Sequence, residues 1–462
     1  MVAMMDLQEA AVGAGGEVRG ANTCFAAVSS DTRTIKQGAL FVALRGERFD
    51  GHEYLAAARE RGAVAAMVDR GAPEPAAGGE PPLPLLVVDD TRLGLGRLAA
   101  YWRGKFKLPL IAVAGSNGKT TVKEMIASIL ADHAGPGRSY ATQGNLNNDI
   151  GLPLTLLGLR AAHNCAVVEL GMNHPGETAY LAGIAQPTVA LVNNAQREHQ
   201  EFMRSVEDVA HEHGAVFSAL SKDGVAVINA DDPYAGYWRG ISAPRTVLDF
   251  GIDRPAAVHG RYEMRDFGSE IVLRTPDGET AVSLRAAGVH NVRNAMAAAA
   301  AASAAGVGLG AIARGLASFS PAPGRLQQKA ATSGATVLDD TYNANPDSVI
   351  AAIDVLARFS GRRFLVLGDM GEVGANGAAF HAEVGRHARA AGIDRLFLLG
   401  ELCTHAAEAF GEGAGHYADI EALLAALAPG LGAGMTALVK GSRFMRMERV
   451  VQALTGVQAG GH

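Results

Sequence analysis

The run LPLIAVAGSNGKTTVKEM, from Leu108 to Met125, joins an apolar strand to an amphipathic helix through a glycine loop that ends in Lys-Thr. The strand has no polar side, so it belongs inside a sheet covered on both faces. Beyond the loop, Val122, Met125, Ile126, Ile129 and Leu130 fall at helical spacing on one face. A buried strand feeding a helix in this way is the repeating unit of a parallel α/β sheet. Glycines let backbone N–H groups converge on an anion, and the helix N-terminus adds positive potential. In such a loop Lys119 would hold the β- and γ-phosphates of a nucleotide, and the Thr120 hydroxyl would reach Mg2+.

The loop departs from the common phosphate-binding spacing, G-x-x-x-x-G-K-[ST]. Val113 stands where the first glycine belongs, and the nearest upstream glycine is Gly115. The loop is therefore G-S-N-G-K-T, two residues shorter between its glycines. It is a damaged nucleotide site, a chance glycine turn, or the loop of a different kind of ATP enzyme.

With 462 residues the chain has room for two to four domains. Up to about Leu108, GALFVAL and PLLVVDD have strand character and HEYLAAARERGA helical character, with the Pro/Gly-rich loop RGAPEPAAGGEPPLP between them. After the glycine loop, NCAVVELG, TVALVNNA and GVAVINAD are strands alternating with helical runs, the pattern of a parallel sheet. SEIVLRTPDGETAVSLRA then reads as a hairpin turning at Pro276-Asp277-Gly278. A hinge from Pro321 to Arg325 opens a second α/β unit with strands ATVLDD, RRFLVLGD, DRLFLLG and TALVKGS. The expected fold class is α/β in three domains: residues 1–108, a central parallel-sheet domain at 109–322, and a C-terminal Rossmann-like domain at 323–462.

A formal net charge of −6 argues against a nucleic-acid partner while leaving room for a local basic pocket. Cys24, Cys165 and Cys403 are odd in number, far apart and in no metal-binding spacing, which suits a reducing cytoplasm. The start MVAMMDLQEA is acidic where a secretory signal is basic. The alanine-rich run from Asn294 to Ala317 is broken by glycines and closed by Arg314, so a packed helix is expected there and no membrane insertion.

Further polar residues gather around the loop. Glu169 ends the strand of AVVELG, and His199 follows TVALVNNAQREH. In a parallel sheet both open on the same crest as the loop. A carboxylate and an imidazole beside a triphosphate could hold a second divalent cation, although singly they also fit a capping acid and a surface histidine. In GVHNVRNAM, His290, Asn291 and Asn294 head the alanine-rich helix, where amides can meet a purine or ribose. N-capping by Asn291 is the plainer alternative.

Together these pieces resemble the Mur ligase family, ATP-dependent amide-forming enzymes of peptidoglycan assembly, whose phosphate loop has the short form G-x-x-G-K-[ST]. The resemblance covers essentially the whole chain. DTRTIKQGALFVALRGERFDGHEY resembles the family's uridine-nucleotide-binding stretch. GNLNNDIGLPLTLL, VVELGMNHPGE, LDDTYNANPDSV, VLGDMGEVG and LVKGSRFMRME resemble the branch that joins UDP-N-acetylmuramoyl-tripeptide to D-alanyl-D-alanine through an acyl-phosphate. The diaminopimelate-adding branch carries a D-N-P-R motif, whereas this chain has YNANPDS. Alternatives are another ligase of the family, including a folate-type enzyme, and a non-catalytic nucleotide-binding protein.

The resemblance implies that ATP is gripped by Gly115, Ser116, Asn117, Gly118, Lys119, Thr120 and Thr121, with Asn291 and Asn294 at the adenine or ribose and Arg325 and Asp340 added on domain closure. Lys119, Glu169 and His199 would be the catalytic set, and Thr120, Glu169 and His199 the Mg2+ ligands. Ser30, Thr32 and Arg33 would take the uridine diphosphate. Asn147, Asn148, Asn173 and His174 would line the muramoyl-peptide side, and Asn343, Asn345, Lys440 and Arg443 would face the dipeptide or the acyl-phosphate. The expected state is a cytoplasmic monomer. One position departs from the family. Many members place a carbamylated lysine after the histidine, and here that place holds His213, with His211 two before it. An imidazole cannot form that carbamate, so the second metal would be held differently here, or only weakly.

Overall fold

The computed structural model describes residues 3–72 and 83–457. Most of the Pro/Gly-rich loop expected from Arg70 to Pro84 lies outside the described residues, as do Met1 and Val2 of the chain start.

The N-terminal unit is a five-stranded sheet ordered Glu17–Arg19, Leu85–Val88, Ala63–Asp69, Ala39–Val42, Ala27–Ser29, parallel except at its first pair. The helix Thr91–Gly104 carries Leu95, Leu98 and Trp102 into one apolar cluster with Leu152, Leu156 and Ile184 of the next unit. Beside them the buried Arg103 guanidinium donates to the carbonyls of Ala185, Phe106, Leu108 and Gln186, which satisfies it without a carboxylate.

The central unit follows the expected alternation. β1 (Leu110–Ala114) enters the glycine loop and α1 (Lys119–Ala134) leaves it. β2 (Cys165–Glu169) and β3 (Val189–Val192) flank β1 on its two sides, parallel to it. The short helix α2 (Val206–Gly214) follows β3. The whole sheet runs Thr246–Phe250, Val225–Asn229, β3, β1, β2, Ser139–Ala141. The chain leaves β1 in one direction and later returns on the other side, so β1 sits at the switch point where open parallel sheets bind ligands. Register places Glu169 beside Val113 and Val192 beside Ala114, which brings three strand ends to one crest.

The hairpin turns as expected, with Thr275 paired to Gly278 across Pro276-Asp277, and His259–Arg265 adds a third strand. The alanine-rich run becomes α3 (Val289–Ala304) and a second helix, Leu309–Ser318. Ala297 to Ala302 are fully buried in the cluster that includes Val122, Ile126 and Ile129 of α1. Small side chains permit that close approach. Among the described residues no helix is long and apolar enough to cross a membrane.

The C-terminal unit has the sheet order Gln327–Ala330, β4 (Thr336–Asp340), Thr436–Lys440, Arg363–Gly368, Arg395–Leu399, Ala414–Tyr417, with only the first strand antiparallel. The helix α4 (Pro346–Leu356) follows β4. Its N-cap Asn345 and Ser348 form a reciprocal capping box with proline in the first turn, a local signal strong enough to fix where the helix starts.

Candidate active site

The glycine loop is built so that nothing but glycine fits at its two turning points. Gly115 has φ +129°, and a Cβ there would stand 3.0 Å from the Asn193 backbone nitrogen. Gly118 has φ +82°, and a Cβ would lie 2.5 Å from Asn294 Oδ1 and 2.8 Å from Asn193 Nδ2. Asparagines hold the loop from behind. Asn193 Nδ2 donates to Asn117 O (2.7 Å) and to Asn294 Oδ1 (3.0 Å), and Asn294 Nδ2 donates to Asn291 Oδ1 (3.1 Å). Asn291 does not cap its helix. Its amide donates to Ala287 O at 2.7 Å, and Gly288 takes the cap position.

Two cavities flank this loop. The first, about 590 Å³, is lined by Asn117, Gly118, Thr121, Asn291, Asn294, Arg325 and Asp340, with His290, Asp231 and Asp253 beside them. Burial holds the His290 imidazole down at about 4, against the pull of Asp340. The second, about 430 Å³, is lined by Ser116 to Thr120, Asn147, Asn148, Glu169, Asn173, His174, His199, Asn343 and Asn345. Asn117, Gly118, Arg325 and Lys440 line both.

Lys119 Nζ donates to Gly115 O (2.5 Å), Ser116 O (3.1 Å) and Glu198 Oε2 (3.2 Å). The buried Glu169 accepts at Oε1 from Thr120 Oγ1 (3.3 Å) and Asn147 Nδ2 (2.8 Å), while its Oε2 has no partner among the described residues. A buried carboxylate oxygen without a donor is costly, and a cation beside it removes that cost. Thr120 and Glu169 bring oxygen donors and His199 a nitrogen donor to one cavity, a set able to hold a divalent ion.

The C-terminal unit is docked on this crest. Asn345 and Asn117 exchange side-chain hydrogen bonds at 2.9 and 3.3 Å, and Arg325 Nη2 donates to Thr120 Oγ1 at 3.2 Å. Arg325 also stacks over the Tyr342 ring at 4.1 Å. Arg197 is bidentate to Asp347 in the first turn of α4 and reaches Glu383 at 2.7 Å. These two carboxylates raise the guanidinium's already high pKa.

Other expected residues serve locally or stand apart. Lys440 is buried, with Nζ 2.6 Å from Asp340 Oδ2 on the neighbouring strand. Asn148 Oδ1 accepts from Gly151 N, and His174 rests on Glu177. Ser30, Thr32 and Arg33 follow the strand Ala27–Ser29 and line neither cavity, with Arg33 paired to Asp31. Arg443 is exposed, 3.6 Å from Glu448, and lines neither cavity.

Three residues at the site are not singled out by the sequence: Arg197, Glu198 and, although it lies within VLGDMGEVG, Glu372. His199 Nδ1 meets Glu372 Oε2 at 2.5 Å, and both residues hold left-handed backbone, φ +49° and +55°. Such backbone in non-glycine residues clusters at functional sites. The His199 contact is the chief cause that holds the Glu372 carboxyl below its ordinary range. Glu198 Oε1 lies 2.5 Å from Nε2 of the buried His213. Burial would push the Glu198 carboxyl up, but Lys119, His213 and His199 together hold it at about 2. Its place next to His199 in the segment after β3 was the available signal for Glu198.

Three stretches match known family descriptions: residues 25–103 the Mur ligase family catalytic domain, 113–302 the Mur ligase middle domain, and 324–443 the Mur ligase glutamate ligase domain. The UDP-N-acetylmuramoyl-tripeptide–D-alanyl-D-alanine ligase of Escherichia coli is 42% identical, covering 95% of this chain and 96% of that one. The enzyme of the same name from Bacillus subtilis is 33% identical over 92% of each chain. The crystal structure of MurF from Acinetobacter baumannii superposes with a TM-score of 0.90 at 33% identity, covering 99% of this chain and all of that one. MurF from Thermotoga maritima in complex with ADP gives a TM-score of 0.81 at 26% identity, covering 93% and 97%.

Proposed function

The chain belongs to the Mur ligase family, and from that premise we propose that it joins UDP-N-acetylmuramoyl-tripeptide to D-alanyl-D-alanine at the expense of ATP, forming ADP. The observation that carries the reading is the pair of cavities sharing Asn117 and Gly118. Phosphoryl transfer needs a nucleotide on one side of a phosphate loop and an acceptor on the other, with the loop common to both.

The tripeptide's terminal carboxylate attacks the γ-phosphorus, ADP leaves, and an acyl-phosphate results. The dipeptide amine, having lost its proton, attacks the acyl carbon, and phosphate leaves from the tetrahedral intermediate. The chain's part is positioning and charge neutralisation. Lys119 offsets charge on the transferring group, and Gly115 to Thr121 present backbone donors and the start of α1. Mg2+, when bound, would add charge neutralisation, held by Thr120, Glu169 and His199. Asn291 and Asn294 set the loop and the floor of the nucleotide side. Arg325 and Asp340 close it, and Asn345 bonds to the loop, which excludes water from the acyl-phosphate. Asn147, Asn148, Asn173 and His174 border the muramoyl-peptide. Asn343 and Lys440 border the dipeptide, Arg443 would reach it only on a change of conformation, and Ser30, Thr32 and Arg33 take the uridine diphosphate.

The reading includes domain boundaries near residues 108 and 322, with a hinge at Pro321 to Arg325. It also includes a monomer acting in the cytoplasm, in keeping with three free thiols. Phosphate release measured with each substrate omitted in turn tests it. Release should need ATP, the UDP-tripeptide and the dipeptide together. Steady release from ATP alone would overturn the reading.

A further inference from the structure

Four consecutive residues after β3 alternate between two surfaces. Gln196 accepts from Asn117 at 2.7 Å, and Glu198 contacts Lys119, so both face the phosphate loop. Arg197 and His199 face the C-terminal unit through Asp347, Glu383 and Glu372. Docking of that unit therefore fixes the segment from one side and presents Glu198 to the crest on the other.

Accepting the ligase reading above, we propose that Glu198 completes, with Glu169 and His199, the seat of the second divalent cation, and that His213 is the residue that positions it. Glu198 lines the same cavity as Glu169, Thr120 and His199. Its Oε2 lies 3.7 Å from His199 Nε2 and 3.2 Å from Lys119 Nζ, while Oε1 is tied to His213. Mg2+ prefers anionic oxygen to imidazole nitrogen, so a seat that already includes the His199 imidazole calls for a further carboxylate. His213 cannot supply such an oxygen, but the carboxylate it holds can. The unpartnered Glu169 Oε2 on the same cavity independently marks a place where positive charge belongs.

The competing account makes Glu198 merely the counter-ion of Lys119. With a triphosphate present Lys119 has another anion to bind, so the two accounts part in the nucleotide complex. Binding of Mn2+ is followed by electron paramagnetic resonance with the full chain and a non-hydrolysable ATP analogue. The wild type should bind two ions per chain, and Glu198→Gln should retain one. His213→Ala should weaken the second ion about ten- to hundredfold, the usual cost of removing a residue that orients a metal ligand. His213→Gln, which can still donate to the carboxylate, should recover most of that loss. Removal of bicarbonate should leave the count at two. A single ion in the wild type, or two undiminished in Glu198→Gln, overturns the proposal. If Glu198→Gln does not fold, the His213 pair decides, since equal loss in both variants also overturns it. A chain that counts two ions but joins no dipeptide would refute the ligase reading and leave this one standing.

Discussion

The Lys119 ammonium rests on two loop carbonyls and Glu198. Lys119→Ala removes a charge needed when the phosphoryl group moves, at a cost of ~3–4 kcal/mol or more of barrier. Turnover should fall about a hundred- to thousandfold or more. The melt should drop only modestly, because His213 still partners the buried Glu198; near-wild-type phosphate release would dismiss the lysine's role. His290 gives a separate residue-scale expectation. Its folded pKa of about 4 lies below the ordinary histidine value, so the unfolded chain binds the extra proton first. The stability from keeping it neutral is complete above about pH 6.5 and is lost as pH falls toward 4. Urea titrations across that window should show a shallower fall for His290→Gln; an unchanged slope would contradict it. Lys119 and Glu169 stood out because one follows the glycine loop and the other ends an apolar strand, and His199 because it lies shortly after the next strand. Glu198 did not, since only the fold brings His213, on α2, against it.

At the scale of elements, α3 shows what composition alone underdetermines. An alanine run reads as a good helix, but its burial depends on α1 lying against it, with residues from both in one apolar cluster. Ala298→Leu should destabilise by ~1–3 kcal/mol through overpacking. A chemical-denaturation midpoint equal to the wild type would place that face outside the core. The strands flanking the glycine loop were readable as short apolar runs between helical patterns. Several others were not. Ala63–Asp69, AVAAMVD, is apolar without period and suits a helix equally, and His259–Arg265, mostly exposed and polar, has only its pairing with Gly268–Thr275 to define it.

For the whole molecule, the decisive contacts join residues far apart in sequence, such as Arg197 with Asp347 and Asn117 with Asn345. No local pattern encodes them. The hinge composition showed that a third unit exists, but not which of its residues touch the loop. Arg197→Ala should loosen that docking, seen as a larger radius of gyration in solution scattering, and should lower kcat about tenfold or more by misplacing the loop's neighbours. Affinity for the UDP-tripeptide should stay near the wild type. Unchanged scattering and kcat would remove Arg197 from the docking account.

The central claim is the choice of reaction, and the product's mass tests it most directly. The chain is given ATP with two substrate pairs in separate reactions: UDP-N-acetylmuramoyl-tripeptide with D-alanyl-D-alanine, and UDP-N-acetylmuramoyl-dipeptide with meso-diaminopimelate. The account predicts UDP-N-acetylmuramoyl-pentapeptide and stoichiometric ADP from the first pair and no product from the second. Product from the second pair alone would contradict it and move the chain to the neighbouring step.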